Sequence, residues 1–379
     1  MQNNGWYVLP GSHHAVLANI RIAVGLDTVA FIESHYIAER GLSPEKTVDY
    51  LKREFLDAQR LGNKCTNGGL YPPTDEESCT DKRTPEARIF ALDIGLSSVK
   101  PPTSAGEIIE LTSEGQIKSL VKDQAMPDGL AIDTRSSRMF WTCMGNPGKY
   151  DGAIYSADLD GSHIKTVVTP GLINTPKQLA LDSLNQMIYF CDREGRSVFR
   201  CSYDGAHLHK IVDNGACGAD DNVLGWCVGI AVSPSLGKLF WTQKGPSKGG
   251  NGRLFSADLP NAIDTAATGV QCLLSDLPEP IDLEFDEHSR TLYWTDRGEL
   301  PHGNALYQVR LDANGDVSGP EEILAKHFHE AIGLKLDSIR QQIYITDLGG
   351  SVYCYKLDGK TKTTLFTDEK RAFTGVTCL

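Results

Sequence analysis

No stretch of this chain carries eighteen consecutive apolar residues, so no segment reads as a helix able to cross a bilayer. The nearest approach, "HAVLANIRIAVGLDTVAFI" at 14–32, is interrupted by Arg21 and Asp27 and reads as buried structure. Basic residues are in deficit: 37 Lys and Arg stand against 49 Asp and Glu, a formal charge of −12. A chain of that balance presents no broad positive field, which argues against nucleic acid or an anionic membrane as a partner. The His-Glu-x-x-His zinc motif and the Gly-x-x-x-x-Gly-Lys-Ser/Thr phosphate loop are also missing. "KGPSKGGNGR" (244–253) is glycine-rich and basic, but it lies between two strand-like runs and opens no helix. The first residues, "MQNNGWYVLP", lack the basic-then-apolar pattern of a secretory leader.

Cysteine, by contrast, is plentiful. The ten cysteines show no metal-type C-x-x-C spacing, and several read as pairs: Cys65 with Cys79, Cys191 with Cys201, Cys217 with Cys227, Cys354 with Cys378. Paired cysteines of this kind favour disulfides and an oxidising compartment, so a secretory-pathway or extracellular protein is expected. Cys143 and Cys272 have no evident partner.

One heptad recurs. "IFALDIG" (89–95), "MFWTCMG" (139–145), "IYFCDREG" (188–195), "LFWTQKG" (239–245), "LYWTDRG" (292–298) and "IYITDLGG" (343–350) are copies of one pattern. Their aromatic positions Phe90, Phe140, Tyr189, Phe240, Tyr293 and Tyr344 lie 49 to 53 residues apart. Most copies follow a run such as "GLAID" or "IGLKLD", and strand-like runs with Asp-Gly turns come after them. Four antiparallel strands per fifty residues, six times over, describe an all-β six-bladed propeller over residues 87–379. The first copy has no inner strand before it, and "AFTGVTCL" (372–379) has nothing after it. The C-terminal strand is therefore expected to complete the blade begun near Arg88. Residues 1–86 form a separate extension. Within it, Ser43, Pro44 and Gly62 bracket a helix at about 43–62, with Val48, Leu51 and Phe55 as its apolar stripe.

The repeat resembles the YWTD propellers of low-density-lipoprotein-receptor-type proteins. That resemblance implies a motif on the second strand of each blade, with aromatics packed between blades and an Asp tying neighbouring strands. Asp296 is then structural. Cys143 and Gln243 stand where two copies would carry that Asp.

Loops leading into the inner strands should converge on one pocket at the channel end, a concave site of mixed polarity suited to a small ligand. They carry Met126, Asp128, Lys177, Gln178, Trp226, Glu279, Asp282, His329, Glu330, Arg371 and Phe373. Trp226 and Phe373 read equally as blade packing, and His329 as a solvated loop histidine.

Three functions are open. A receptor-type propeller binds protein. A gluconolactonase-like propeller hydrolyses esters with channel Ca²⁺, held here by Asp128, Asp282 and Glu330. As a stand-alone propeller with an N-terminal extension, the chain also resembles fungal hetero-Diels–Alderases of tropolonic sesquiterpenoid biosynthesis. This last resemblance implies a cofactor-free cyclase with no metal, acting on small apolar organic substrates. Arg371, Lys177 or His329 would polarise the diene oxygen, and His329 or Glu330 would move a proton. Met126, Trp226 and Phe373 would form an apolar wall, with Asp128, Gln178 and Asp282 as polar contacts.

Overall fold

Every residue of the strand Thr291–Asp296 is buried. A strand reaches that state only when other sheets cover both of its faces. The computed structural model describes residues 87–96, 104–112, 115–215 and 223–379; the expected N-terminal helix lies outside them. Among the described residues, twenty-four strands form six four-stranded antiparallel sheets. The protein is an all-β six-bladed propeller, and each motif copy forms the second strand of its blade. We number the blades by their inner strands: Pro127–Asp133 (one), Pro176–Asp182 (two), Cys227–Ser233 (three), Pro280–Asp286 (four), Ala331–Asp337 (five) and Phe373–Cys378 (six). In blade six the inner strand comes from the C-terminus and pairs antiparallel with Ile89–Asp93.

Motif aromatics fill the seams between blades. Trp141, Trp241 and Trp294 are fully buried, and Trp294 stacks on Tyr307 at a ring separation of 5.0 Å. Burying side chains of this size stabilises by about 1.5–3 kcal/mol each.

Tying of blade to blade falls to the motif threonine rather than to the motif aspartate. Thr142 Oγ1 accepts from Gly129 N at 2.8 Å and donates to Lys177 O of the next blade at 2.8 Å. Thr242 repeats this with Gly229 N and Ile281 O, and Thr295 with Asp282 N and Ile332 O. Thr346 donates to Thr374 O. Blade six carries Leu92 at this position, and there Thr374 of the inner strand donates to Pro127 O at 2.8 Å. Asp296 instead holds its own blade, accepting from Glu279 N and Gly298 N. It is structural, as expected, and burial pushes its carboxyl up to about 7.

The expected disulfides do not form among the described residues: Cys143, Cys191, Cys201, Cys227, Cys272, Cys354 and Cys378 are all free thiols. Strand register gives the reason for one pair. Cys191 opposes Val198 and Cys201 opposes Ile188, so the two lie three rungs apart. An odd offset points them to opposite sheet faces, roughly 10 Å apart along the strand. Cys191 packs against blade three and Cys201 against blade one. Cys354 and Cys378 border one seam without bonding, and Cys65, Cys79 and Cys217 lie outside the described residues. Alkylation of denatured, unreduced protein should therefore modify all seven described cysteines. A peptide map recovering Cys191 bridged to Cys201 would contradict this register.

Candidate functional site

All six inner strands share one irregularity. In each, the pairing with the second strand slips after the first residue, as between Pro127 and Leu130 or between Pro280 and Leu283. Such a bulge turns the strand locally and re-aims its side chains. Here it affects the second and third residues of every inner strand, at the hub. The third positions are Gly129, Gln178, Gly229, Asp282, Gly333 and Gly375. A Cβ on Gly229 would stand 2.0 Å from Ile281 O, and one on Gly333 would stand 2.1 Å from Thr374 O. Neighbouring inner strands thus approach too closely for most side chains. Gln178 and Asp282 are the two exceptions.

These two residues cap a cavity of about 250 Å³ that runs down the channel along the inner strands. It is lined by Leu130, Ile132, Leu179, Leu181, Ile230, Val232, Leu283 and Leu334, which also pack in the seams between blades, and most of the surface it exposes is polar. At the far rim stand Ser183 and the Lys335–Glu284 ion pair (2.6 Å), both partly exposed. The cavity is therefore closed by buried polar groups at the end where the strands begin and open where they finish.

The closed end holds one hydrogen-bonded trio, Asp128, Lys177 and Gln178, with Asp282 beside it. Lys177 Nζ is hydrogen-bonded to Asp128 Oδ1 and lies 3.2 Å from Met144 Sδ. Gln178 Nε2 donates to Asp128 O and Oδ2, both at 3.1 Å. Asp282 accepts from Leu283 N and from Leu334 N of the next blade, each at 2.8 Å. Burial pushes the Asp282 carboxyl well above the usual carboxylate range, against the pull of those two donors. Burial likewise lowers Lys177, and Asp128 opposes the shift. A carboxylic acid held neutral in an apolar site is a hydrogen-bond donor.

Asp128, Lys177, Gln178 and Asp282 thus come together from blades one, two and four. The other expected site residues do not join them. Arg371 is held by Asp93 at 2.8 Å, by Glu107 and by Asp368, all in blade six or its loops. Phe373 is fully buried in the seam between blades five and six. His329 is exposed, its ring against Gly349. Met126 packs with Ile94, Met144 and Ala372 above the hub. Trp226 lies between Arg193 and Lys244, whose charged ends stand 5.1 and 5.3 Å from its ring centre. Glu279 accepts from Lys244 and Arg297, and Glu330 lies 3.7 Å from Arg297. Five of these groups ring the upper mouth, above the cluster and on the side away from the cavity.

A channel Ca²⁺ does not suit this donor set. Ca²⁺ needs six to eight oxygens. Asp128 is engaged by Lys177 and Gln178, Asp282 by two backbone N–H groups, and Glu330 belongs to the upper loops. Among the described residues, no three His, Cys, Asp or Glu side chains gather where they would hold a metal. The letters Gly245-Pro246-Ser247-Lys248-Gly249 spell the hydrolase pattern G-x-S-x-G, against the expectation that the chain carries no such nucleophile elbow. They form a loop between antiparallel strands rather than the strand-to-helix turn that pattern requires, and Ser247 Oγ faces Glu279 at 3.5 Å.

No protein-family model matches the chain. The chain is 47% identical over 368 residues to the "3-hydroxyacyl-CoA dehydrogenase-like protein LAM1" of Cochliobolus heterostrophus, covering 93% of this chain and 77% of that protein. It is 39% identical over 297 residues to the "Low-density lipoprotein receptor-related protein 1" of Pyricularia oryzae, covering 75% of this chain and 96% of that protein. Among solved structures, a chain of the nidogen/laminin complex superposes with a TM-score of 0.60 at 20% identity, over 77% of this chain and 98% of that one. The last match shows the fold.

Proposed function

We propose that the hub cavity of this chain, which belongs to the family that includes LAM1 and the receptor-related protein of Pyricularia oryzae, is a cofactor-free catalytic pocket for an apolar, carbonyl-bearing molecule. In the finer form of this reading, the pocket accelerates a hetero-Diels–Alder cycloaddition of a quinone-methide-type diene onto a terpene alkene. The observation that carries it is a channel cavity whose buried end presents Asp282, a carboxyl that burial holds above its usual range.

The dehydrogenase-like part of LAM1's name has no counterpart in the propeller. Dinucleotide binding of that kind uses a βαβ unit with G-x-G-x-x-G. The described sheets are all antiparallel, and the sequence contains no such string. The secretory-pathway expectation, without the disulfides, rests on the receptor-type relatives alone.

In the inverse-demand reaction, one C–C and one C–O bond form as the π bonds are consumed, and no atom leaves. Negative charge gathers on the diene oxygen in the transition state. Asp282 donates its O–H to that oxygen and keeps its proton. Lys177, Asp128 and Gln178 hold the polar end rigid, so little reorganisation accompanies the reaction. A cavity of about 250 Å³ lies just below the usual range of ligand pockets, roughly 300–1,000 Å³. It holds the flat diene alone, and the alkene approaches from the open rim past Lys335. Holding the pair aligned removes part of the bimolecular entropy cost, which reaches about 7–11 kcal/mol in ideal intramolecular cases.

The test is adduct formation from a generated ortho-quinone methide and a terpene alkene. Asp282→Ala should lower kcat/KM by about 10²- to 10³-fold with the fold retained. In the wild type the rate should fall as pH rises, because the acid acts only while protonated. An Asp282→Ala enzyme with unchanged rate and product stereochemistry would remove the proposal.

A further inference from the structure

A second cavity, of about 510 Å³, lies between blades three and four and shares no lining residue with the channel. Its size falls within the usual range of small-ligand pockets, roughly 300–1,000 Å³. Blade three supplies Leu277 and Pro278, where its outer strand Thr268–Leu277 turns toward the next inner strand. Blade four supplies the loop 299–302, which follows its second strand Thr291–Asp296, and Ile323 of its outer strand Glu322–Lys326. The floor is aromatic. Tyr307, only 6% exposed, stacks on Trp294 and lines the cavity. Its hydroxyl donates to His302 O at 2.5 Å, which ties the loop to the ring.

The charges around this cavity do not cancel. Asp276, Glu299 and Glu321 line it together with one cation, Lys248. Lys248 pairs with Glu299 at 3.1 Å and also reaches Glu330 at 3.5 Å. Lys326 donates to Pro301 O at 2.9 Å and does not line the cavity. Arg253 is taken up by Leu224 O and Gln243. Among the described residues, Asp276 accepts only from Ser275 Oγ, at 2.8 Å, and Glu321 has neither an ion pair nor a hydrogen bond. Two carboxylates thus line the cavity with no cation paired to them. Burial, then the charges of Asp296 and Glu321, raise the Tyr307 hydroxyl, so the Glu321 carboxylate lies beside the ring. Burial also raises Glu321 itself, and no cation opposes it.

We propose that this cavity binds an organic ammonium ion, its charged end on Glu321 and Asp276 and its apolar body on Leu277, Pro278, Ile323 and the Tyr307 ring. An ammonium beside an aromatic ring gains a cation–π attraction in addition to the ion pair. The Tyr307 oxygen gives its proton to His302 O and keeps its capacity to accept one from the ligand. A neutral molecule of the same shape leaves both carboxylates unpaired. The cavity is separate from the channel, so the assignment does not depend on the cycloaddition reading.

Calorimetry with phenethylamine, a cation at neutral pH, and with phenethyl alcohol, its neutral counterpart, tests this directly. The amine should bind about tenfold more tightly than the alcohol, and added salt should narrow that gap. Glu321→Gln should weaken the amine about tenfold and leave the alcohol unchanged. Leu300 lines the cavity and is 54% exposed, so Leu300→Arg retains the fold while placing a competing cation at the mouth. That variant should abolish amine binding, and adduct formation in the channel should be unchanged in both variants. Three results would each overturn the assignment: no binding of the amine or binding equal to that of the alcohol, amine affinity untouched by both Glu321→Gln and Asp276→Asn, or amine binding that survives Leu300→Arg.

Discussion

Replacing Gly229 by valine is expected to destabilise the propeller by more than about 4 kcal/mol, at the extreme of single-residue effects. Even the first added carbon would stand 2.0 Å from Ile281 O and 2.9 Å from Asp282 Cα. Both are backbone atoms of the neighbouring inner strand, so no side chain can swing aside to relieve the contact. Displacing that strand also breaks the bond from Thr242 Oγ1 to Ile281 O, and Gly229 N shares the same hydroxyl. Urea unfolding measures the effect. Gly319→Ala is the control, because nothing lies within 4 Å of its added carbon, and its midpoint should stay within about 0.5 kcal/mol of the parent. A Gly229→Val protein as stable as that control would mean that the inner strands are not packed this closely around the hub.

The same crowding explains what was legible in the sequence. Six motif copies at near-constant spacing reveal a sixfold ring, because each blade must present two buried faces to its neighbours. The strand beginnings were legible too. Pro127, Pro176 and Pro280 end their loops, and the residues just after them include Asp128, Lys177, Gln178 and Asp282, which do meet at the hub. Side-chain partners across the ring were not. Arg371 sits in a loop, yet two of its three carboxylates, Asp93 and Glu107, lie more than 260 positions away. Phe373 looked like a pocket wall because it opens an inner strand. That first position, however, precedes the bulge and points into a seam, as Pro127 does in blade one. The cysteine pairs failed for a related reason, since spacing along a hairpin says nothing about which face each residue takes.

Removing the hub's buried cation should be nearly as damaging as crowding its glycine. Lys177→Met leaves Asp128, 1% exposed, without its ammonium partner, while Gln178 still donates to it at 3.1 Å. Breaking a buried pair from one side costs about 3–5 kcal/mol, because the remaining charge stays desolvated. Replacing both partners, as Asp128→Leu with Lys177→Met, should recover most of that loss, since an apolar pair of similar volume leaves no stranded charge. The two single variants and the double variant close a thermodynamic cycle, and its coupling energy should be at least about 2 kcal/mol. A Lys177→Met protein within about 1 kcal/mol of the parent would show that the pair is water-screened and that the hub end is open rather than sealed. The double variant also separates the cluster's two roles. If it is stable but slow in adduct formation, the pair organises the polar end for chemistry. If it is stable and fully active, Asp282 alone carries the reaction and Asp128–Lys177 serves the fold.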